Sequence, residues 1–566
     1  MVKGSQLKIT HILYFLIGIG FVILANQLAD TFRFRWDLTE EKRFSVTEPT
    51  KNLLKNLEET VYVEVYLEGE LPSNFKRFRN SIEETLDEFK VYSGGKVQYR
   101  FIDPSIASST KAQNEFYTYL AQSGIQPNNL TYKTDENTTE KLIFPGAIVS
   151  YFGSEKGVML LKGNQTNGSE AVINQSIEGV EYQIASAIKE LSSDSRKKIG
   201  MIRGHGELDS AFIAGFTNVL IDRYDLFTVN FEDRKRPLSE YDLLVLAKPT
   251  EKFNQRDKYL LDQYIMQGGR LLAFMDALKV DLDSIGGVGT LAFPYDNNLT
   301  DLFFRYGVRV NMDYVQDINS GQMPFVTGQL GNQPKFDFLP WPYFPVVTNY
   351  GDHPMVKGIG PSIGKFVSTI DTVKAVGIKK TPLMFTSQYS RVMKSPVQVS
   401  VDDVRNERKP EFFQAGPQPI AYLLEGKFPS LFKNRIIPEG FPKKDFQEAG
   451  ADNKIIVVSD GDFIRNEFDP KNQTPVELGT DPYAVIVYSN ADFLLNAVDY
   501  LVEDNGLITA KAKEVKIRPL DKIKVKNERL KWQLINLILP LVILVLFGIL
   551  KSILRKRKFA SFKNDE

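Results

Sequence analysis

The sequence contains no cysteine and only three histidines among its 566 residues. Without cysteine there are no disulfides, no thiolate metal sites and no mechanism that uses a cysteine nucleophile. The three histidines, His11, His205 and His353, are too few and too scattered for a zinc site built from several imidazoles. We therefore predict no metal site and no cysteine-based catalysis. Because no motif fixes another nucleophile, we also predict no cofactor and no catalytic residues, and hence a protein that is not an enzyme.

An excess of charge of one sign is also missing, because 70 lysines and arginines balance 70 aspartates and glutamates. This balance gives no indication of a nucleic-acid partner. The P-loop pattern G-x-x-x-x-G-K-[ST] is absent as well. Its nearest approach, from Gly360 to Phe366, is one residue too short and has Phe366 where the Mg²⁺-binding hydroxyl belongs. The chain is therefore not expected to be an ATPase.

Two long apolar runs are present, at residues 9–28 and 532–550. Twenty helical residues span about 30 Å, which is the thickness of the hydrocarbon core of a membrane. We predict a transmembrane helix at each run, with Pro540 inside the second one. A cleaved signal peptide is the alternative for the first run, although no A-x-A cleavage motif follows it.

The orientation follows from the residues before the first run. Lys3 and Lys8 precede it without any acidic residue, which predicts that residues 1–8 are cytoplasmic. Two spans then return residues 551–566, a basic tail, to the cytoplasm. The region between the spans is predicted to be periplasmic, with the protein held in the inner membrane and in contact with its lipids.

A first α/β domain is predicted at residues 51–195, after a juxtamembrane segment at residues 29–50. Residues 60–67 and 96–102 have the composition of strands, and the helix between them shows apolar residues at intervals of three or four. A strand, a helix and a strand within about 45 residues form a βαβ unit and indicate a parallel sheet.

A second α/β domain is predicted at residues 196–505. Apolar strands alternate with amphipathic helices here, which is typical of a parallel sheet covered on both faces. The part near residues 283–450 is rich in proline and aromatic residues and is interpreted as an insertion. Residues 506–531 are predicted to be a basic linker to the second span.

Polar residues follow several predicted strands of the second domain. Ligands of parallel sheets bind beyond the carboxyl ends of the strands. Loops there include Lys248-Pro249 and the candidate ligand-binding residues Arg203, His205, Glu207, Asp276, Asp460 and Asp462. These residues could converge into a binding site; alternatively, they are the turn residues that any strand-to-helix junction uses.

The run from Leu339 to Pro345 places Trp341, Tyr343 and Phe344 among three prolines. Such a segment predicts a rigid surface for a partner. The alternative is that the three aromatic side chains pack on the core of their own domain.

Four segments resemble the GldG family, the auxiliary component of bacterial gliding-motility ABC transporters. They are Arg35-Trp-Asp-Leu-Thr-Glu-Glu-Lys-Arg-Phe-Ser45, Ile420-Ala-Tyr-Leu-Leu-Glu-Gly-Lys-Phe428, Lys454-Ile-Ile-Val-Val-Ser-Asp-Gly-Asp462 and Asn490-Ala-Asp-Phe-Leu-Leu-Asn-Ala-Val-Asp-Tyr-Leu501. The middle region also resembles the ABC-transporter auxiliary domain, which implies a glutamine-amidotransferase or flavodoxin-like fold. That enzyme class uses a nucleophilic cysteine, which this chain lacks.

The resemblance implies a polytopic ABC permease as the direct partner, a cytoplasmic ATPase bound through the permease, and a role in the gliding of Bacteroidetes. Periplasmic or envelope proteins are further candidate partners. The leading hypothesis is thus a non-enzymatic auxiliary subunit. The alternatives are a small-molecule-binding receptor subunit of the same transporter and a membrane-anchored hydrolase.

Overall fold

The structure is a computed structural model. It describes residues 14–24, 45–106, 108–133, 138–162, 169–193, 195–232, 238–280, 285, 289–331, 333–404, 409–481, 486–503, 506–512 and 522–560. Two compact units make up the chain, Met1–Glu514 and Val515–Glu566.

The α-helices of the described ranges are, in chain order, α1 (Tyr14–Leu24), α2 (Glu48–Lys55), α3 (Ser73–Tyr92), α4 (Thr110–Gln122), α5 (Ser169–Leu191), α6 (Ala214–Leu220), α7 (Gln255–Met266), α8 (Thr300–Tyr306), α9 (Asn490–Val502) and α10 (Lys522–Ala560).

The strands are β1 (Val61–Val65), β2 (Val97–Phe101), β3 (Asn128–Lys133), β4 (Thr138–Ile143), β5 (Gly146–Tyr151), β6 (Ser154–Met159), β7 (Lys198–Arg203), β8 (Asp225–Asn230), β9 (Leu243–Ala247), β10 (Arg270–Phe274), β11 (Leu278–Lys279), β12 (Thr290–Pro294), β13 (Val308–Val310), β14 (Asp313–Asp317), β15 (Ser320–Leu330), β16 (Gln333–Val347), β17 (Asn349–Tyr350), β18 (Ser362–Ile363), β19 (Ile370–Thr372), β20 (Ile378–Phe385), β21 (Ser390–Lys394), β22 (Val397–Val399), β23 (Pro419–Pro429), β24 (Ala449–Val458), β25 (Thr480–Asp481) and β26 (Ile486–Val487).

The first sheet has the strand order β2-β1-β5-β6. β1 and β2 are parallel and α3 connects them, as the βαβ prediction requires. The prediction of a purely parallel sheet is wrong, however, because β5 is antiparallel to both β1 and β6. The tight turn between β5 and β6, where Phe152 and Gly153 both have positive φ, reverses the chain directly and makes these two strands antiparallel.

The second sheet has eight strands in the order β17-β20-β23-β24-β10-β9-β7-β8. The five strands from β24 to β8 are parallel, as predicted, and helices pack on both faces of this half. β17, β20 and β23 are antiparallel to their neighbours, so a purely parallel sheet is wrong here too. All three strands come from the predicted insertion, which therefore adds strands to the main sheet.

The helix α5 joins the two sheets within the first unit. Tyr182 of α5 is buried in the core of the second sheet, whereas Ile184 and Ile188 are buried in the core of the first. The Tyr182 hydroxyl donates to Asp499 of α9, and the Tyr224 hydroxyl donates to the other oxygen of Asp499 at 2.7 Å. The boundary between the two sheets, which we call the seam, is thus stabilised by apolar contacts and by a buried hydrogen-bond network.

The two ends of the globular region also meet at α5. The Thr47 amide, just before α2, donates to Glu181 of α5 at 2.7 Å. The helical turn Leu507–Ala512 places Leu507 in the core of the first sheet and Ile508 in that of the second. The segment predicted to be a linker from residue 506 onward therefore begins inside the globular region.

In the second unit, α10 contains the stretch Glu528–Arg557, whose 30 residues are long and apolar enough to cross a membrane. It includes the predicted span at residues 532–550 and continues through Pro540. For the predicted N-terminal span, α1 is an apolar helix, and the remainder of residues 9–28 lies outside the described residues. The N-terminal span stays a prediction.

Candidate functional site

Three neighbouring parallel strands bring a lysine and three aspartates together at their carboxyl ends. Lys248 follows β9, Asp276 follows β10, and Asp460 and Asp462 follow β24. The Lys248 Nζ lies 3.0 Å from Asp276 Oδ2 and 2.6 Å from Asp462 Oδ2. We call these four residues the Lys248 cluster. Asp276, Asp460 and Asp462 therefore lie together at the strand ends, as predicted.

Backbone groups complete the arrangement around the carboxylates. The Asp460 carboxylate accepts from the Asp462 amide at 2.9 Å and from the Lys365 amide at 2.8 Å. Asp276 accepts from the amide of Gly461. A Cβ at Gly461 would lie 2.6 Å from Lys248 Cγ, so the close approach of the loop to Lys248 requires glycine.

Burial and charge act in opposite directions within the Lys248 cluster. Burial alone would lower the pKa of Lys248, but the carboxylates of Asp276 and Asp462 raise it above its ordinary value. Burial raises the pKa of Asp460 well above the usual range, and the neighbouring Asp276 and Asp462 add to this. The pKa of Asp462 is lowered despite its burial because Lys248 faces it. Asp462 is therefore the ionised partner of Lys248.

A cavity of about 270 Å³ opens beside Asp462. Its wall includes Lys365, Arg465 and Glu467, of which Lys365 forms an ion pair with Glu467. Phe344 and Tyr488 add aromatic surface. Of the Lys248 cluster, Asp462 thus lines a partly apolar cavity at the strand ends, the place where parallel sheets bind ligands.

His205, which follows β7, belongs to a separate cluster. Its Nε2 lies 3.0 Å from Asp257 Oδ2 and its Nδ1 lies 3.3 Å from Glu207 Oε1. The imidazole stacks on Phe253 with 3.6 Å between ring centroids. Among the described residues, no hydrogen bond or ion pair joins His205 to the Lys248 cluster. The predicted convergence of the imidazole with the three aspartates is therefore wrong, because Asp257 at the start of α7 holds the ring elsewhere.

The charge state of His205 follows from its two carboxylate partners. Burial alone would lower its pKa, but hydrogen bonds to Asp257 and Glu207 raise the pKa to about 9. The ring is therefore a buried imidazolium whose two nitrogens both have partners. Arg203 is half-buried nearby, and burial lowers its pKa even though Glu207 and Asp209 lie close. Of the six candidate residues, Glu207 thus accompanies His205, and Arg203 lies beside this pair.

The three aromatic residues proposed as a partner surface lie in the interior. Trp341 and Tyr343 are 0% exposed and Phe344 is 8% exposed. Trp341 packs edge-on against Phe325 and Phe366, with ring centroids 6.3 and 5.4 Å away. The structure therefore has the alternative arrangement, in which these side chains form a core, and only Phe344 reaches the cavity wall.

Three cavity residues, Lys365, Arg465 and Glu467, are absent from the predicted site. Lys365 follows β18, more than eighty residues before β24 in sequence, and no periodic pattern marks its segment. Arg465 and Glu467 lie only a few residues beyond the predicted Asp462. Their closeness in sequence to Asp462 is the signal that could have identified them.

Comparison with known proteins identifies the family. Residues 196–497, more than half of the chain, match the family model described as an ABC-type uncharacterized transport system. The chain belongs to this family. The resemblance to the ABC-transporter auxiliary domain is thereby confirmed, and it supports a transporter-associated auxiliary role. The narrower resemblance to the gliding-motility GldG family stays a prediction.

This member of the ABC-transport family has two further matches. Residues 40–150 match a domain of unknown function, DUF7088. An uncharacterized protein of Borreliella burgdorferi is 22% identical over 557 residues, which cover 96% of this chain and 97% of that protein.

Two solved structures are similar over part of the chain. The mmIFT52 N-terminal domain gives a TM-score of 0.30 at 13% identity and covers 54% of this chain and 97% of that one. A ThuA-like protein from Parabacteroides merdae gives 0.27 at 14% identity, with 58% and 94% covered. Scores this low support no assignment of fold or function, and the predicted glutamine-amidotransferase or flavodoxin-like fold stays a prediction.

Proposed function

We propose that the chain is a non-enzymatic, membrane-anchored auxiliary subunit of an ABC transporter-like complex. The observation that carries this proposal is the family match over residues 196–497 in a chain that also has the apolar helix α10. The match supports association with a transport system, and α10 supports attachment to a membrane.

The finer parts of the proposal rest on the four GldG-like segments and, for the orientation, on Lys3 and Lys8 before the first apolar run. In this reading both termini are cytoplasmic and the globular region is periplasmic, at the inner membrane. A polytopic permease packs against the spans, an ATPase binds the permease, and envelope proteins contact the globular region. The complex then serves gliding motility. The missing P-loop supports an ATPase supplied by another chain.

The non-enzymatic part of the proposal is supported by how the polar residues are engaged. The Lys248 ammonium is held between two carboxylates, and the His205 imidazolium lies between two others. A general base needs a free nitrogen, and a nucleophilic lysine needs to be neutral. Neither group meets its requirement in this arrangement.

The experiment that tests the proposal is affinity purification of the tagged protein, expressed in its native host and extracted with a mild detergent, followed by mass spectrometry. We expect a polytopic permease and a P-loop ATPase to co-purify. A matched control exchanges residues 528–557 for an unrelated single-span helix, which keeps the membrane attachment but removes specific packing. Recovery of the chain alone, at good yield, would refute the proposal.

A receptor role is the second candidate, because one observation favours it. The cavity beside Asp462 lies at the strand ends and is lined by both charged and apolar side chains. A small-molecule-binding subunit would use such a site.

A further inference from the structure

A second cavity, of about 50 Å³, lies in the seam between the two sheets. Its wall includes Lys162, which follows β6 of the first sheet, together with residues of α5 and of α9, which packs on the second sheet. None of its lining residues belongs to the cavity beside Asp462. A water needs about 10–15 Å³ of such space, so this cavity has room for a group of about three to five non-hydrogen atoms.

Lys511 brings a cation to this cavity without a carboxylate partner. It lies in the helical turn Leu507–Ala512, and its ammonium donates a hydrogen bond to Asn496 Oδ1. The same ammonium lies 4.3 Å from the centroid of the Tyr182 ring. Within the described ranges, no carboxylate oxygen lies within 4.0 Å of Lys511 Nζ. An ammonium has three N–H donors, so two of them remain for a ligand.

Lys162 is a second cation of the wall with unused donors. The one carboxylate oxygen within 4.0 Å of its ammonium, in the part of the chain that the structure describes, is Asp492 Oδ1, which at 4.0 Å is beyond hydrogen-bonding distance. Lys357, the third lysine of the wall, forms an ion pair with Asp352 at 2.9 Å. Two of the three lysines thus have ammonium groups that no carboxylate binds closely.

Gln183 of α5 has an unused amide at the same place. Its side chain is only 8% exposed and lines the cavity, yet it makes no hydrogen bond to any described residue. Leaving a buried amide without partners is costly, so this side chain indicates a missing ligand. Ser489, the N-cap residue of α9, also lines the cavity, which places the positive end of the helix dipole at the wall.

We propose that this cavity binds a small oxyanion, a phosphate ion or a short carboxylate, which accepts hydrogen bonds from Lys511, Lys162 and Gln183. The bound anion would join residues on the two sides of the seam. This inference goes beyond the proposed function, because neither the auxiliary role nor the receptor candidate uses this cavity.

The charges of the wall favour an anion over a cation. Its acidic side chains are Glu178 and Asp492, of which Asp492 lies beside Lys162 and Glu178 already has an interaction partner. Burial and the neighbouring charge of Lys162 lower the pKa of Lys511 to about 7, although two nearby aspartates raise it. An oxyanion would supply the opposite charge that Lys511 lacks, whereas a cation would add repulsion.

Hydrogen bonds already hold the walls of the cavity in place. Asn496 donates its side-chain amide to the carbonyl oxygen of Met355 at 2.8 Å, which leaves its own oxygen for Lys511. Gln175 of α5 donates its side-chain amide to the carbonyl oxygen of Gly358. Binding of an anion therefore requires little rearrangement, which favours affinity.

The test is ligand-observed NMR on the full-length protein in dodecyl maltoside at about pH 6, below the pKa of Lys511, where its ammonium form predominates. The probes are inorganic phosphate, followed by its ³¹P relaxation, and acetate, followed by saturation transfer to its methyl group. Sodium chloride keeps the ionic strength constant, so that general screening does not change. We expect at least one of the two oxyanions to bind, and the tighter one identifies the kind of anion. Binding of neither would overturn the proposal.

Lys511→Met removes the ammonium and keeps a stem of similar length, and it should weaken binding at least about 10-fold. Lys252→Met is the matched control, because Lys252 forms an exposed ion pair with Asp296 outside the cavity lining, and it should bind like the wild type. Unchanged binding in Lys511→Met, or equal weakening in both variants, would refute the site.

Gln183→Glu provides a second variant in case Lys511→Met does not fold. It keeps the size of the side chain but places a carboxylate in the cavity, which repels an oxyanion, so binding should be abolished. A Gln183→Glu protein that binds the anion like the wild type would also refute the site. The detergent solution contains no transporter partner, so failure here leaves the co-purification of a permease and an ATPase as an independent result.

Discussion

The His205 cluster and the Lys248 cluster lie on the same edge of the same sheet and use the same kinds of side chain, but they differ in one respect. Both nitrogens of His205 have carboxylate partners, and its ring is covered by Phe253. In the Lys248 cluster, Asp462 Oδ1 accepts no hydrogen bond among the described residues and has an Arg465 guanidinium nitrogen 3.5 Å away, while the Asp462 side chain lines a cavity. Residue type therefore does not distinguish the two clusters, whereas the completeness of their hydrogen bonding does.

The largest effect is expected for Lys248→Met. Removal of the ammonium leaves Asp276 and Asp462 buried without a cation, which typically costs about 3–5 kcal/mol. We expect the free energy of unfolding of the full-length protein in detergent, measured by urea denaturation and circular dichroism, to fall by that amount. Lys252→Met is the control, because Lys252 forms an exposed ion pair with Asp296 and its loss should cost less than about 0.5 kcal/mol. Equal effects would remove the distinction between the two lysines.

The aromatic core behind the cavity gives the next largest effect. Trp341→Ala removes a fully buried indole from among Phe325, Tyr343 and Phe366 and should cost about 3 kcal/mol or more. Phe336→Ala, in the same hairpin but with a 53% exposed side chain, should change stability by less than about 0.5 kcal/mol. A large loss for Phe336→Ala with little for Trp341→Ala would contradict the interior position of Trp341.

The His205 cluster should make stability depend on pH. The pKa of His205 is raised to about 9 in the folded protein, whereas an unfolded histidine has a pKa near 6.5. The stabilisation is thus complete below about pH 6.5 and is lost as the pH rises through about 9. We expect a loss on the order of 2 kcal/mol over this range, discounted for partial screening.

The matched variant for this pH dependence is His205→Gln, which keeps hydrogen-bonding capacity but does not titrate. Its unfolding free energy, measured across the same pH series, should change less than that of the wild type. Parallel curves for the two proteins would show that the imidazolium makes no contribution.

The smallest effect on stability is expected for Asp462→Asn. The variant replaces the ionised partner of Lys248 by a neutral amide, but Lys248 keeps Asp276 at 3.0 Å and the amide oxygen can still accept from the ammonium, so the cost should be about 1.5 kcal/mol by urea denaturation. An effect as large as that of Lys248→Met would mean that the hydrogen bonding of Asp462 is as complete as that of the carboxylates around His205. The difference between the two clusters would then not hold.

Local patterns predicted the elements of the fold that have one apolar face. Phe75, Phe78 and Ile82 recur at helical intervals and mark α3, which is what the structure has. The helix α5 is absent from the predicted elements because its residues from Val180 to Ile188 are buried on nearly all sides by two cores, so no single stripe exists. The antiparallel strands of the second sheet were missed because proline-rich segments do not alternate clearly.

The candidate site was also predictable in part from the sequence. Asp276, Asp460 and Asp462 meet because carboxyl ends of parallel strands share one edge. His205 could not be separated from them in advance, since its partner Asp257 is fixed by the start of α7. Lys365 could not be included, because only the tertiary fold brings β18 to β24.

The position of Leu507–Ala512 has a mechanical consequence. Leu507 is buried in one core while Ile508 and Ala510 are buried in the other, and Thr47 holds the opposite end of the globular chain to α5. Tension on the polypeptide at Ala512 would therefore load both cores at once, and α5 would be the member that shares the force between them. The seam between the two sheets, rather than either sheet alone, would then bear a displacement of Ala512.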